Sequence, residues 1–307
     1  MAEDVAAAVE KLKRLCAKRV FVQYPEGLKL RVQGIAKDLE AACFEVVISV
    51  EDCYGACDLR DAEAKRLGCD TILHVGHEDF GVRSELPVVF WEYFIDADPT
   101  KILEKEFSKL KQYDKIGIVT SIQFVHAVDK AKKFLESRGK KVFTHKALQH
   151  DGQILGCNLE AATNIEKDVD AFLCISAGKF YGLGLVMKTE KPMLLLDLEK
   201  GSLSDMAELK RNIQKTIAWN KAAFEDAKRV ALLVSWKRGQ AKDAFALKRK
   251  LEAKGKDVVI LAMDEITPEK LVGLKIDAAL NLACPRIGID DLGRYKVPVL
   301  NVEDAGI

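Results

Sequence analysis

The chain has 307 residues, 48 Lys plus Arg against 47 Asp plus Glu, and a formal net charge of +1. So neutral a surface excludes a protein that grips duplex nucleic acid through surplus Lys and Arg, and 49% apolar residues with only 20 Gly and 7 Pro exclude a disordered chain. The eight cysteines are the unusual feature.

The opening segment, MAEDVAAAVEKLKRL, is an amphipathic helical pattern of mixed charge without an apolar signal core. No later stretch reaches the roughly 18–20 uncharged apolar residues of a membrane span. The expectation is a cytoplasmic chain with no membrane and no nucleic-acid partner, in which cysteines act as small hydrophobes, reactive thiols or metal ligands. Cys16, Cys43, Cys69 and Cys174 sit in apolar contexts (KLKRLC, LEAACFEVV, LGCDTIL, AFLCIS) and are expected to pack in cores.

From Lys18, KRVFVQYPEGLKLRVQGIAKDLEAACFEVVIS reads as a buried strand, a turn, an amphipathic helix and a second strand. GCDTILHVGHEDF and LPVVFWE then give a strand, a loop, a short helix and a fourth strand. The same order restarts at Asp114 with DKIGIVTSIQFVHAVDKAKKFLESRGKKVFTH, closed by VDAFLCISAGKF and KPMLLLDLE. A long helical stretch, SDMAELKRNIQKTIAWNKAAF, bridges to the third copy, KRVALLVSWKRGQAKDAFALKRKLEAKGKDVVILA from Lys228, closed by IDAALNLACPRIG and VPVLNVED. The predicted fold is α/β: three pseudo-repeated small domains, each a roughly four-stranded parallel sheet flanked by helices, arranged around a central site. The boundaries fall at residues 1–98, 99–220 and 221–307.

Ligands of such sheets bind beyond the carboxyl ends of the strands. One cysteine lies in such a loop in each repeat: Cys57 in EDCYGACDLRDA, Cys157 in DGQILGCNLEA and Cys284 in NLACPRIGIDD. Aligning the third strands from Asp70, Asp170 and Asp277 puts His77, Ala177 and Cys284 in one column, a substitution pattern that packing does not explain. Zinc sites usually carry close C-x2-C pairs, which this chain lacks, whereas three thiolates with an open fourth position suit a 4Fe-4S cluster. Cys53 and Cys57 form C-x3-C without the further cysteine of the common radical S-adenosylmethionine motif. Cys53 competes with Cys57 for the first ligand position; Gly55 and Ala56, which let the backbone approach closely, favour Cys57.

The strings YPEGL, CYGACD, GQILGC, KRGQ and CPRIGIDD, in this order over nearly the whole chain, resemble the archaeal diphthamide synthase family, 2-(3-amino-3-carboxypropyl)histidine synthases. The resemblance implies a homodimer in which Cys57, Cys157 and Cys284 hold the cluster and S-adenosylmethionine binds at the open iron. It also implies cleavage of the bond from sulfur to the γ-carbon, and radical transfer of the 3-amino-3-carboxypropyl group to a histidine of translation elongation factor 2. An electron donor is a further implied partner. Glu78 in GHED and Phe124 in SIQFVH depart from the family pattern.

Lys237, Arg238 and Gly239 open a helix after the first strand of the third repeat, a place suited to the carboxylate of the methionine moiety. Gly178 and Lys179 in SAGKFYGLG, and Glu26 and Gly27 in YPEGL, are candidates for lining the pocket. Asp290 and Asp291 are expected at a helix start, with capping as the default role of Asp290 and cofactor binding as the alternative. Arg286 places positive charge two residues from Cys284. Two other functions share parts of this pattern: a Lewis-acid iron-sulfur dehydratase of the quinolinate synthase type, and a non-catalytic electron-relay subunit.

Overall fold

The computed structural model describes residues 5–79, 81–238, 240 and 243–307. Among these, thirteen strands form three sheets. The first contains β1 (Arg19–Gln23), β2 (Glu45–Ile48), β3 (Thr71–Val75) and β4 (Val88–Trp91), in the order β2-β1-β3-β4. The second contains β5 (Lys115–Thr120), β6 (Lys141–Phe143), β7 (Ala171–Ser176), β8 (Met193–Asp197) and β9 (Ser202–Asp205), in the order β6-β5-β7-β8-β9. The third contains β10 (Arg229–Ser235), β11 (Asp257–Met263), β12 (Ala278–Asn281) and β13 (Val299–Asn301), in the order β11-β10-β12-β13. All pairings are parallel except β8 with β9. Strands covered on both faces must be apolar throughout, which is why RVFVQ, AFLCIS and RVALLVS lack polar alternation. The expected α/β architecture of three parallel sheets is met.

The chain forms two compact units: the described residues through Asp98 with Ser121–Ala127, and Pro99–Thr120 with Val128–Ile307. The first holds the first sheet, whose core gathers Leu12, Val20, Val22, Leu39, Leu73 and Trp91. In the second, Phe172, Cys174, Leu185 and Leu195 pack under the middle sheet, and Phe224, Leu232, Leu251 and Leu280 under the last. Helix Ala207–Asp226 packs in this unit, and its buried Asn220 donates Nδ2 to the Val299 carbonyl at 3.0 Å.

Two local devices recur in all three copies. The aspartate before each third strand accepts from the amide that starts the first strand: Asp70 from Arg19 at 3.2 Å, Asp170 from Lys115 at 2.8 Å and Asp277 from Arg229 at 2.8 Å. Each ties together the two central strands at the end opposite the cysteine loops. Asp277 is held at a pKa of about 2 chiefly by its hydrogen bond from Arg229. The helix after each first strand ends alike: the Leu39, Leu135 and Leu251 carbonyls accept from Phe44, Lys140 and Lys256, with Cys43, Gly139 and Gly255 at positive φ just before.

That geometry corrects the reading of two cysteines. Cys16 (φ 53°) and Cys43 (φ 71°) are exposed at left-handed helix ends, not packed in the core; Cys69 and Cys174 are buried as expected. Chain reversal, not burial, sets these positions. Glycine serves at the equivalents of Cys43 because a Cβ is strained at this φ. Cys43→Gly is expected to stabilise the protein by about 0.5–1 kcal/mol, read as a raised urea midpoint at unchanged slope.

Two further expectations are revised. The long helix begins at Ala207, not Ser204, because Ser202–Asp205 pairs with the edge of β8 and the Asp205 side chain accepts from the Ala207 amide at 2.8 Å. No helix is present among the described residues between β3 and β4. There Gly76 and Gly81 take positive φ, Asp79 accepts from the Gly81 amide, and Asp61 accepts from Ser84 and Glu85. Turn bonding consumes the groups a helix would need.

Candidate active site at the strand ends

In the first unit the loop after β2 carries Cys53 and Cys57, and Gln23, the last residue of β1, holds it. Gln23 is buried, donates Nε2 to the Asp58 carbonyl at 2.9 Å and accepts from the Arg60 amide at 3.0 Å. The Asp58 amide closes a turn on the Gly55 carbonyl at 2.9 Å. Half-buried Cys57 lies against the bare face of Gly55, where a Cβ would sit 3.6 Å from its Sγ. Gln23→Leu removes both of these buried hydrogen bonds from the loop. A loss of about 2–3 kcal/mol is expected in denaturant unfolding, with faster hydrogen exchange at residues 53–60.

Cys53 is buried beside β3. Its Sγ stands 3.7 Å from His74 Nε2, and that nitrogen is 3.0 Å from His77 Nδ1. Burial holds His77 at a pKa of about 4, and burial followed by the His77 charge holds His74 well below its ordinary value, so both imidazoles are neutral near pH 7. Glu26 and Gly27 are the exposed residues of the turn Glu26–Leu28 after β1, where Glu26 pairs with Lys29 at 2.8 Å. That exposed hydrogen bond raises the Lys29 pKa.

In the second unit the segment before Cys157 is stitched onto the end of β5. Thr120 donates to the Gly152 carbonyl at 2.8 Å and accepts from Ile154 at 2.9 Å. Gly152, at φ +70°, approaches so closely that a Cβ would lie 2.8 Å from the Ile118 carbonyl oxygen. Gly156 faces the Phe180 ring, 2.8 Å from where its Cβ would stand.

Cys284 follows β12, in a loop clamped by two asparagines that are register partners. Asn281 donates Nδ2 to the Cys284 carbonyl and to Asn301 Oδ1, both at 2.8 Å, and Asn301 donates to the Pro285 carbonyl at 2.9 Å. Arg286 joins the loops of Cys157 and Cys284. It forms a bidentate pair with Asp290 at 2.7 and 2.6 Å and lies 4.1 Å over the Phe180 ring. Its Cδ is 3.6 Å from the Cβ position of Gly156. Its Nη1 is buried with no hydrogen-bond partner. Desolvation raises the Cys157 thiol pKa, and the Arg286 charge opposes that rise.

Asp290 is not at a helix start: it ends the one-turn helix Ile287–Asp290 and faces back onto Arg286, while Asp291 pairs with Arg294 at 2.9 Å. Lys237 is buried, with its amide on Ser235 Oγ at 3.2 Å, and Arg238 is exposed; neither opens a helix as expected, the next described helix beginning at Phe245. Gly239 lies outside the described residues. Gly178 takes φ +74° and donates to Asp197 at 3.3 Å, and Lys179 is exposed at the start of helix Phe180–Lys188. Gln23, Asn281 and Asn301, absent from the sequence expectations, share one signal: a polar amide ending an otherwise apolar strand.

Residues 24–307 match the diphthamide synthesis protein family. The 2-(3-amino-3-carboxypropyl)histidine synthase of Pyrococcus horikoshii is 34% identical over 305 residues, covering 97% of this chain and 88% of that protein. The protein of the same name from Methanocaldococcus jannaschii is 28% identical over 321 residues, covering 98% and 87%. The crystal structure of Dph2 from Pyrococcus horikoshii with a 4Fe-4S cluster superposes with a TM-score of 0.89 at 31% identity, over 99% of this chain and 90% of that one. With this match in both sequence and three-sheet fold, the chain belongs to the diphthamide synthesis protein family.

Proposed function

We propose that this chain is a 2-(3-amino-3-carboxypropyl)histidine synthase, which transfers the 3-amino-3-carboxypropyl group of S-adenosylmethionine to a histidine of translation elongation factor 2, the first step of diphthamide biosynthesis. The observation that carries the reading is one strand-end cysteine in each of three copies, in a chain that shares fold and sequence with named synthases. The donor chemistry fits a 4Fe-4S cluster: Cys57, Cys157 and Cys284 are thiols outside any disulfide, and glycines beside two of them leave space at the sulfur or bring the backbone close. When bound, the cluster supplies the electron that splits the sulfur to γ-carbon bond, with methylthioadenosine as the co-product.

The three cysteines hold the cluster and leave one coordination position for the methionine moiety. Arg286, locked by Asp290 and Phe180, keeps a fixed positive charge beside Cys157 and favours its thiolate. Lys237 and Arg238 bind the methionine carboxylate; Glu26, Gly27, Gly178, Lys179 and Asp290 line the pocket. The working assembly is a cytoplasmic homodimer fed by a separate electron donor, with repeats bounded at residues 1–98, 99–220 and 221–307.

The test is anaerobic reconstitution with iron and sulfide, followed by dithionite, S-adenosylmethionine and the elongation factor. About four irons per chain, methylthioadenosine and a 3-amino-3-carboxypropyl adduct on the factor are expected. No methylthioadenosine from cluster-loaded protein refutes the reading.

A further inference from the structure

The two cysteines of the loop after β2 have different surroundings. Cys57 lies against Gly55. Cys53 instead joins His74 and His77, and one donor atom from each of the three lies within 4.8 Å of the others. We infer that Cys53, His74 and His77 form a mononuclear site for a borderline divalent ion of the Zn2+ class, separate from the cluster ligands and with its fourth position open.

The geometry is that of a tetrahedral face. With a metal–sulfur bond of about 2.3 Å and metal–nitrogen bonds of about 2.05 Å, the sulfur–nitrogen and nitrogen–nitrogen edges are about 3.6 and 3.3 Å. The corresponding separations here are 3.7 and 3.0 Å. The remaining sulfur–nitrogen edge, from Cys53 to His77, lies within 4.8 Å, so closing the face takes about 0.3 Å between the imidazoles and up to about 1.2 Å along that edge. Thiolate with two imidazoles is a donor set for zinc or its neighbours and unsuited to magnesium or calcium, which take oxygen.

The donors are also preorganised. His74 is wholly buried within β3, in register with Gln23 of β1 and Phe90 of β4. Among the described residues its Nδ1 has no hydrogen-bond partner, and its Nε2 faces Cys53 and His77. His77 sits just past the strand, in the column that Cys284 occupies in the third copy. The Cys53 loop is latched at its far side by Gln23. An ion at this point ties that loop to the end of β3. The inference goes beyond the transferase reading and does not rest on it.

Anaerobic cluster-loaded protein is dialysed against Zn2+ and desalted, and zinc and iron are measured on the same sample. About one zinc per chain is expected beyond the cluster iron, with affinity at least tenfold weaker in Cys53→Ser and in His77→Gln. Unchanged iron in both variants is also expected. Absence of zinc, or zinc affinity unaltered by Cys53→Ser, overturns the site; so does loss of iron in Cys53→Ser, which would assign Cys53 to the cluster. Should a variant fail to fold, 113Cd NMR of the wild-type protein decides. A resonance at the shift of one sulfur and two nitrogen ligands supports the site, and any other result overturns it. Methylthioadenosine formation is assayed separately, so failure of the transferase reading and failure of the zinc site are distinguishable.

Discussion

Cys284→Ala is expected to abolish cluster retention and transferase turnover while the protein stays folded. The reason lies in how its loop is held. Asn281 grips the Cys284 backbone carbonyl and Asn301 the Pro285 carbonyl, and neither bond uses the thiol. Alanine keeps the clamp and removes only the sulfur. Iron analysis, the visible absorption of the reconstituted protein and methylthioadenosine yield should all fall to the blank, with the thermal midpoint of the metal-free protein unchanged. Cys174→Ala is the control. Cys174 is fully buried in β7 with its thiol pKa raised to about 12 by burial, so it costs about 1–2 kcal/mol of packing and leaves iron binding intact. Equal iron in Cys284→Ala and wild type would remove Cys284 from the ligand set.

Arg286→Leu is expected to cost about 3–5 kcal/mol, because it leaves the partly buried Asp290 carboxylate without its partner and strips the cation from the Phe180 face. The loss should depend on pH. Burial already raises the Asp290 pKa, with Arg286 opposing, so removing Arg286 raises it further. Between the unfolded and the raised folded pKa the native variant binds more protons than the unfolded chain, so its stability falls as pH rises. The difference from wild type is therefore smallest in acid, below the unfolded Asp value near 4, and largest at neutral pH. Arg286→Leu combined with Asp290→Asn should recover part of the stability and flatten the pH dependence. Urea unfolding from pH 4 to 8 measures both; a loss independent of pH would mean that packing alone sets the cost.

The three-sheet plan was legible because doubly covered parallel strands are written as unbroken apolar runs and each copy repeats the same Asp, Leu and helix-end positions. The cysteine-bearing loops were legible for a related reason: the apolar runs stop at Ile48, Phe143 and Asn281, and a cysteine in the loop that follows has little packing to do. What escaped depended on partners distant in sequence. Gln23 meets Asp58 and Arg60 only once β1 and β2 are in register, and Asn281 meets Asn301 only through the pairing of β12 with β13. Cys16 and Cys43 were misread because apolar neighbours suggested burial, whereas the backbone needed a left-handed residue there. The helix expected after β3 failed where Asp61 and Asp79 captured the backbone amides first.

The aspartates that join the central strands, Asp70, Asp170 and Asp277, each bond only within their own copy and only at the edge remote from the cysteine loops. A tandem duplication built this way inherits its mechanical closure with every copy. The opposite rim is then released from structural duty and free to diverge, one copy acquiring imidazoles where another acquires a thiol. Specialisation of three identical ancestors into unlike parts of one catalyst needs no new fold, only a fastening that never passes through the surface being reinvented.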